Sequence, residues 1–366
     1  MSSKKTVVVA MSGGVDSSVA AALLKDQGYN CIGITMKLWD YEAIGGNINH
    51  ESGCCSLDSI NDARMVCAKL DMPHYVLNFS RDFHDGVVDN FVDEYIAGRT
   101  PNPCVQCNIK IKWKSLHEKA RELGADFIAT GHYARVKFNE SSKRYELYKG
   151  LDSSKDQSYV LWGTKQNNLA ETLYPLGEFT KPQIREMARK MEMRTAEKKE
   201  SQEICFVPDN NYGRLLKQVV PGLEEKVTDG DLINSSGEKI GKHKGYPFFT
   251  IGQRRGIGTG FGQPMYVLGT NPKTNEVTIG QENELYSKEF TANSLNLIKF
   301  ENLPAEGIHC LIKIRYNGAG YQGTIFPLDA DSVKVVFDEQ QKSVTPGQSA
   351  VFYDENDCII GGSIIN

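Results

Sequence analysis

Residues 6–27 read TVVVAMSGGVDSSVAAALLKDQ. Thr6 to Met11 is a continuous apolar run of strand length, and Ser17 to Gln27 has helical composition with Gly28 just past its end. Between them lies Ser12-Gly13-Gly14-Val15-Asp16-Ser17. Two glycines let the backbone curl so that several N–H groups point inward. The helix N-terminus adds its positive end, and the Ser12 and Ser17 hydroxyls add donors. The result is an anion cradle of pyrophosphate size. It is not a Walker A loop, because the Gly-Lys-[Ser/Thr] ending is absent, and it is not GxGxxG.

Working outward, strand-like and helix-like stretches alternate. Cys31–Met36 reads as a strand, 58–70 as a helix, His74–Leu77 as a strand, 82–96 and 108–123 as helices, and 126–130 as a strand. This alternation predicts an α/β domain whose parallel sheet is covered on both faces. From about Tyr212 glycines become frequent and short β-rich runs are separated by turn signals, which reads as all-β: a small mixed β-rich domain and then a barrel or sandwich. The expected division is 1–209, 210–284 and 285–366.

Apolar residues make up 40% of the chain, charged residues 24%, and the net charge is -4. Such composition excludes a disordered or collagen-like chain, and no apolar stretch approaches the ~18 residues of a membrane span. The acidic balance argues against a polybasic coat but permits a local basic groove. One candidate is 239–255, where Lys239, Lys242, Lys244, Arg254 and Arg255 alternate with Tyr246, Phe248 and Phe249. It suits phosphate contact and base stacking, or equally a solvated hairpin face. The run 181–199 is basic too, but Glu186, Glu192 and Glu197 dilute it into an ordinary helix surface.

The nine cysteines fit a reducing cytosol better than a disulfide scaffold. Cys107 precedes the helix expected from Asn108, where the dipole would raise its thiolate fraction. Cys104 and Cys107 form one CxxC, but Cys54-Cys55 has no matching spacing, so no metal site is expected. Cys205 lies in the loop-like stretch SQEICFVPD.

The string SGGVDS resembles the pyrophosphate-binding loop of the ATP pyrophosphatase, or adenine nucleotide α-hydrolase-like, group. Four further segments narrow the match: TPNPCVQCN from Thr100, ATGHYA from Ala129, KDQSY from Lys155 and SQEICF from Ser201. Together they resemble the bacterial-type tRNA-specific 2-thiouridylase (MnmA-like) family. That resemblance implies a cytoplasmic ATP-dependent tRNA sulfurtransferase that adenylates the wobble uridine and replaces its O2 by persulfide sulfur. It implies an ATP site at Ala10, Met11, Ser12, Gly13, Gly14, Val15, Asp16 and Ser17, with Met36 and Gly131 as further nucleotide contacts and Mg2+ shielding the phosphates. It implies Cys107 as nucleophile and Cys205 as persulfide carrier, with a transient disulfide between them. It implies that Asn102, Pro103 and Cys104 face the target base. His132, Lys155, Asp156, Gln157, Arg315, Tyr316 and Gln348 are then tRNA contacts. Cys104 stands where some members carry an aspartate. The implied partners are a tRNA anticodon arm, a sulfur-donor protein such as a cysteine desulfurase or relay protein, and a reductant, with no membrane. The competing readings are another enzyme of the group, of the amide synthetase type, and a non-catalytic ATP-responsive RNA-binding protein.

Overall fold

A computed structural model describes residues 4–39, 56–199, 204–258 and 261–366. Cys54, Cys55 and residues 201–203 lie outside the described residues. The first unit is a five-stranded sheet in the order β3-β2-β1-β4-β7. Its strands are β1 (Thr6–Ala10), β2 (Asn30–Lys37), β3 (His74–Asn78), β4 (Phe127–Ala129) and β7 (Thr172–Leu173). Every pairing is parallel. Val7, Val8 and Val9 are fully buried, as a β-branched run covered on both faces requires.

Helix α1 (Val15–Asp26) follows β1, and α2 (Leu57–Lys69) leads towards β3. A helix over 80–96 (α3) and another over 103–122 (α4) cross between β3 and β4, and both contain π-helical turns. The chain runs from β1 outward to β2 on one side, while β4 lies on the other. The C-terminal ends of β1 and β4 therefore flank the topological switch point, where α/β sheets bind ligands. A hairpin of β5 (Ala134–Asn139) and β6 (Arg144–Lys149) leaves β4 before β7 forms.

The β-rich half does not begin at Tyr212 as read. Helices Tyr212–Val219 and Leu223–Val227 come first. Leu215, Leu216, Leu223 and Val227 are buried, an amphipathic spacing the glycine content had hidden. The sheet β10-β11-β8-β9 follows, from β8 (Gly230–Ile233), β9 (Lys239–His243), β10 (Tyr266–Asn271) and β11 (Glu276–Gly280). A closed barrel ends the chain in the order β12-β15-β14-β13-β16-β17. Its strands are β12 (Tyr286–Leu297), β13 (Ile308–Lys313), β14 (Tyr321–Pro327), β15 (Val333–Lys342), β16 (Ser349–Tyr353) and β17 (Ile359–Ile365).

Barrel and first unit share a core. Every residue of β16 is buried. Ala350 and Phe352 fill the barrel, whereas Val351 and Tyr353 join the large cluster that contains Val8, Trp113 and Trp162. Tyr159 donates to the Ser349 carbonyl at 2.8 Å and the Trp162 indole to Ser349 Oγ at 2.9 Å. A Cβ on Gly362 would lie 2.6 Å from the Trp162 ring.

Candidate active site

The Ser12–Ser17 loop sits at the switch point and is held from three sides. Ser12 Oγ and Ser17 Oγ lie 3.1 Å apart, and the Ser12 N–H donates to Ser17 Oγ at 3.2 Å. Ser18 Oγ donates to the Gly14 carbonyl at 2.8 Å. Gly13 has φ +71°, and a Cβ there would stand 2.1 Å from the Ser59 carbonyl oxygen. Gly131, just after β4, packs so closely on α1 that a Cβ would lie 2.8 Å from the Ser17 nitrogen. Only glycine permits these approaches.

Two lysines from the 181–199 run close the loop, and so that run is not a plain surface. Lys181 Nζ donates to both Asp16 carboxylate oxygens, at 2.9 and 2.8 Å, and its side chain is 8% exposed. Tyr133 Oη donates to Asp16 Oδ1 at 2.7 Å. Lys198 Nζ donates to the Gly13 carbonyl at 3.0 Å, to Ser59 Oγ at 3.1 Å and to Asp62 Oδ2 at 2.8 Å. Both ammonium groups thus brace the loop at the N-terminus of α1, Lys181 through Asp16 and Lys198 beside Asp62, and a helix N-terminus held this way suits an anion. Ala10 and Met36 end or approach the ends of β1 and β2 and are half-buried against the large core, and Met11 and Val15 are buried.

Helix α4 carries the cysteines. It begins at Pro103 with Asn102 as its cap, whose side chain accepts from the Val105 N–H at 3.4 Å. Cys107 therefore lies inside a continuous helix rather than ahead of one, and the first-turn position belongs to Cys104. The expected dipole effect on Cys107 is lost, since it fades within the first turn. Cys104 reaches solvent at the rim of the site, yet surrounding protein pushes its thiol up while Lys112 pulls it down. The helix is pinned by Asn108, which donates to the Val160 carbonyl at 2.9 Å, and by Asn168, which donates to that of Trp113 at 2.6 Å. Cys107 and Cys205 are both half-buried, and both pack against the large core.

Segment 130–133 ties the loop to α4. Gly131 touches Ser17, Tyr133 holds Asp16, and His132 Nε2 meets Lys112 Nζ at 3.1 Å. His132 Nδ1 lies 2.7 Å from Thr130 Oγ1. Burial, aided by Lys112, keeps the imidazole well below its ordinary range and therefore neutral. An ammonium only donates, so Nε2 accepts and Nδ1 carries the proton to Thr130.

The candidate RNA positions gather around this helix, and several also hold the fold. Asp156 accepts from the Gly150 and Ser158 N–H groups at 3.1 and 3.0 Å, and Gln157 Oε1 from the Tyr133 N–H at 3.1 Å. Lys155 is half-buried beside them. Tyr316 Oη donates to the Asp156 carbonyl at 3.3 Å. Arg315 donates to the Lys342 and Ser343 carbonyls, and Gln348 to those of Thr100 and Pro101. The 239–255 patch changes character: Tyr246, Phe248 and Phe249 are buried, and Lys239 and Lys242 both pair with Asp231 at 2.6 Å. Base stacking by those rings is thereby removed. A cavity of about 490 Å3 beside it is lined by Arg214, Lys217, Lys244 and Phe248, and by no residue of the phosphate loop.

Lys112, Tyr133, Lys181 and Lys198 escaped the reading of the sequence. The signal for Lys181 was its place at the first position of a helix capped by Thr180, where a lysine opposes the dipole unless an acid awaits it.

Three family models match: the tRNA methyl transferase HUP domain over residues 5–209, the tRNA methyl transferase PRC-barrel domain over 219–281 and the aminomethyltransferase beta-barrel domain over 287–365. The chain is 48% identical over 369 residues to the tRNA-specific 2-thiouridylase MnmA of Salinibacter ruber, covering 100% of this chain and 95% of that protein. It is 49% identical to the Cytophaga hutchinsonii protein of the same name, with 100% and 98% covered. A solved 4-thiouridine synthetase in complex with RNA and bound ATP is similar at 17% identity and TM-score 0.38, over 60% of this chain and 51% of that one.

Proposed function

The chain belongs to the tRNA-specific 2-thiouridylase (MnmA) family, and from that premise we propose how its residues carry out ATP-dependent thiolation of tRNA. The substrate is a uridine in a tRNA anticodon arm, ATP supplies the activation, and the products are 2-thiouridine, AMP and pyrophosphate. One observation carries the reading: segment 130–133 joins the phosphate loop to the cysteine helix, so nucleotide and sulfur chemistry share one site.

Ala10, Met11 and Ser12–Ser17 hold the phosphates, with Lys181 and Lys198 offsetting their charge. Met36 and Gly131 line the nucleoside side. Asp16, the carboxylate of the loop, is already engaged by Lys181 and Tyr133, and Mg2+ arriving with the nucleotide would shield the phosphate charge.

The flipped uridine meets Asn102, Pro103 and Cys104. Its O2 attacks the α-phosphorus and pyrophosphate leaves. Sulfur carried on Cys205 as a persulfide then displaces AMP at C2, and on this direct route Cys107 afterwards attacks Cys205 Sγ, so that the S–S bond breaks and the sulfur stays on the base. If Cys107 attacks Cys205 Sγ first, hydrosulfide departs as the acceptor nucleophile and a Cys107–Cys205 disulfide remains, which a dithiol donating two electrons restores. A desulfurase or relay protein charges Cys205. Lys155, Asp156, Gln157, Arg315 and Tyr316 hold the RNA, and His132 and Gln348 position the cysteine helix beside it. Residues 1–209 do the chemistry, and 210–284 and 285–366 grip the tRNA. The setting is the cytoplasm, and no helix among the described residues is long and apolar enough to cross a membrane.

The family models are described by methyl transfer. Full-length relatives named 2-thiouridylases, and two half-buried cysteines, Cys107 and Cys205, packed on the same core, favour sulfur. The test is incubation with ATP, unmodified tRNA and a persulfide source, followed by nucleoside mass analysis. Mass gain of one sulfur-for-oxygen exchange with AMP release is expected from the wild type and not from Cys205→Ser. Release of ADP, or full thiolation by Cys205→Ser, overturns the reading.

A further inference from the structure

Lys112 is a half-buried cation whose hydrogen-bond partner is a neutral ring, His132 Nε2 at 3.1 Å. Among the described residues no carboxylate pairs with it. A desolvated ammonium without a counter-charge is costly unless the site presents an anion to it.

The winding of α4 identifies that anion. Residues Cys107–Leu116 form a π-helix. In such a helix the residue five places on hydrogen-bonds back to the first, which turns Lys112 toward the face that carries Cys107. In an α-helix it would stand about 140° round the axis. Cys104, on the preceding turn, completes the same face. The ammonium is held by the imidazole that follows β4 and lies close enough to Cys104 to pull that thiol down. Trp113 and Tyr174 pack the back of that imidazole, with ring centroids 5.8 and 6.2 Å away.

We propose that Lys112 is the cation that favours the thiolate of Cys107, with His132 as the positioning residue that holds the ammonium in place. The inference rests on Cys107 being the nucleophile. It supplies the positive potential that the helix N-terminus, spent four residues earlier at Pro103, does not. The Cys107 proton leaves to solvent, and Lys112 keeps all of its own. His132 serves only while neutral, since a protonated ring would repel the ammonium. Thr130 fixes the ring by accepting the hydrogen bond from Nδ1–H, so that Nε2 accepts from Lys112.

The test is alkylation of the full-length protein by iodoacetamide across pH, read cysteine by cysteine by peptide mass spectrometry. Lys112→Met is expected to slow Cys107 alkylation about tenfold at neutral pH and to raise its midpoint by about one pH unit. Lys112→Arg is expected to restore most of the rate, with Cys310 unreactive throughout. In the wild type, raising ionic strength is expected to move the Cys107 midpoint upward, which needs no variant to fold. A Cys107 midpoint unchanged in a Lys112→Met protein of wild-type thermal midpoint, or a rate that Lys112→Arg does not restore, overturns the proposal. The assay uses no ATP, tRNA or sulfur donor, so its outcome is independent of whether thiolation is observed.

Discussion

Gln348 Nε2 donates to the carbonyl oxygen of Thr100 at 3.0 Å and, from the same nitrogen, to that of Pro101 at 2.9 Å. The Thr100 N–H returns a bond to the Pro346 carbonyl at 2.8 Å. A loop of the barrel thus grips the backbone just ahead of Asn102 and the cysteine helix. Gln348→Ala removes both donated bonds and is expected to cost about 1 kcal/mol of stability. Thiolation turnover should fall more than tRNA affinity. An unchanged thermal midpoint with a purely tRNA-affinity defect would mean that the side chain serves RNA instead.

Lys181→Met leaves the Asp16 carboxylate beside Tyr133 without its ammonium. Breaking such a pair is expected to cost about 3 kcal/mol and to abolish ATP binding by calorimetry. Asp16→Asn in the same background should recover part of the stability but not the ATP affinity. Recovery of neither would argue against a charge pair as the stabilising element.

Gly131→Ala places a methyl group 2.8 Å from the Ser17 nitrogen. Overpacking of this kind costs about 1–3 kcal/mol, and the strain is relieved by moving the phosphate loop. Weaker ATP binding with intact tRNA binding is expected. Equal ATP affinity would show that the loop tolerates the shift.

Burial holds His74, His117, His132 and His243 below their ordinary range. In the unfolded chain each takes a proton as pH falls through about 6.5, whereas the folded chain resists. The unfolded state then binds more protons, so stability is lost on acidification below that value and regained above it. The thermal midpoint should be level from pH 7 to 8 and fall towards pH 5. His132→Asn should shallow the slope. A flat profile would contradict these burials.

A chain ending at residue 284 lacks the partners of Tyr159 and Trp162, both fully or almost fully buried. It is expected to lose ATP affinity along with tRNA affinity and to unfold without a cooperative transition. Retained nucleotide binding would show that the first unit closes its own core.

Much of this was legible locally. The strand-glycine-helix passage of residues 6–27, and the alternation after it, follow from periodicity over neighbouring residues. The sites that escaped depend on distant ones. Lys181 meets Asp16 across 165 positions and Lys198 meets Gly13 across 185, so in sequence both look like charges on a mixed surface. Cys107 was set ahead of its helix because PNP reads as a stiff lead-in. Asn102-Pro103 is instead cap and first position, a pattern that was present to be read. The rings of 246–249 looked like a stacking platform because burial is not written in composition.

The two-faced strand β16 also orders events in time. Ser158, Tyr159 and Trp162 must wait 195, 190 and 187 positions for Tyr353 and Ser349. A ribosome emitting the chain from its N-terminus at about 5–20 residues per second needs about ten seconds or more to supply them. During that interval the apolar flank of the first unit stays open to solvent, and the cysteine helix lacks the barrel loop that steadies it. The nascent polypeptide is therefore expected to stay inactive until its last strands emerge.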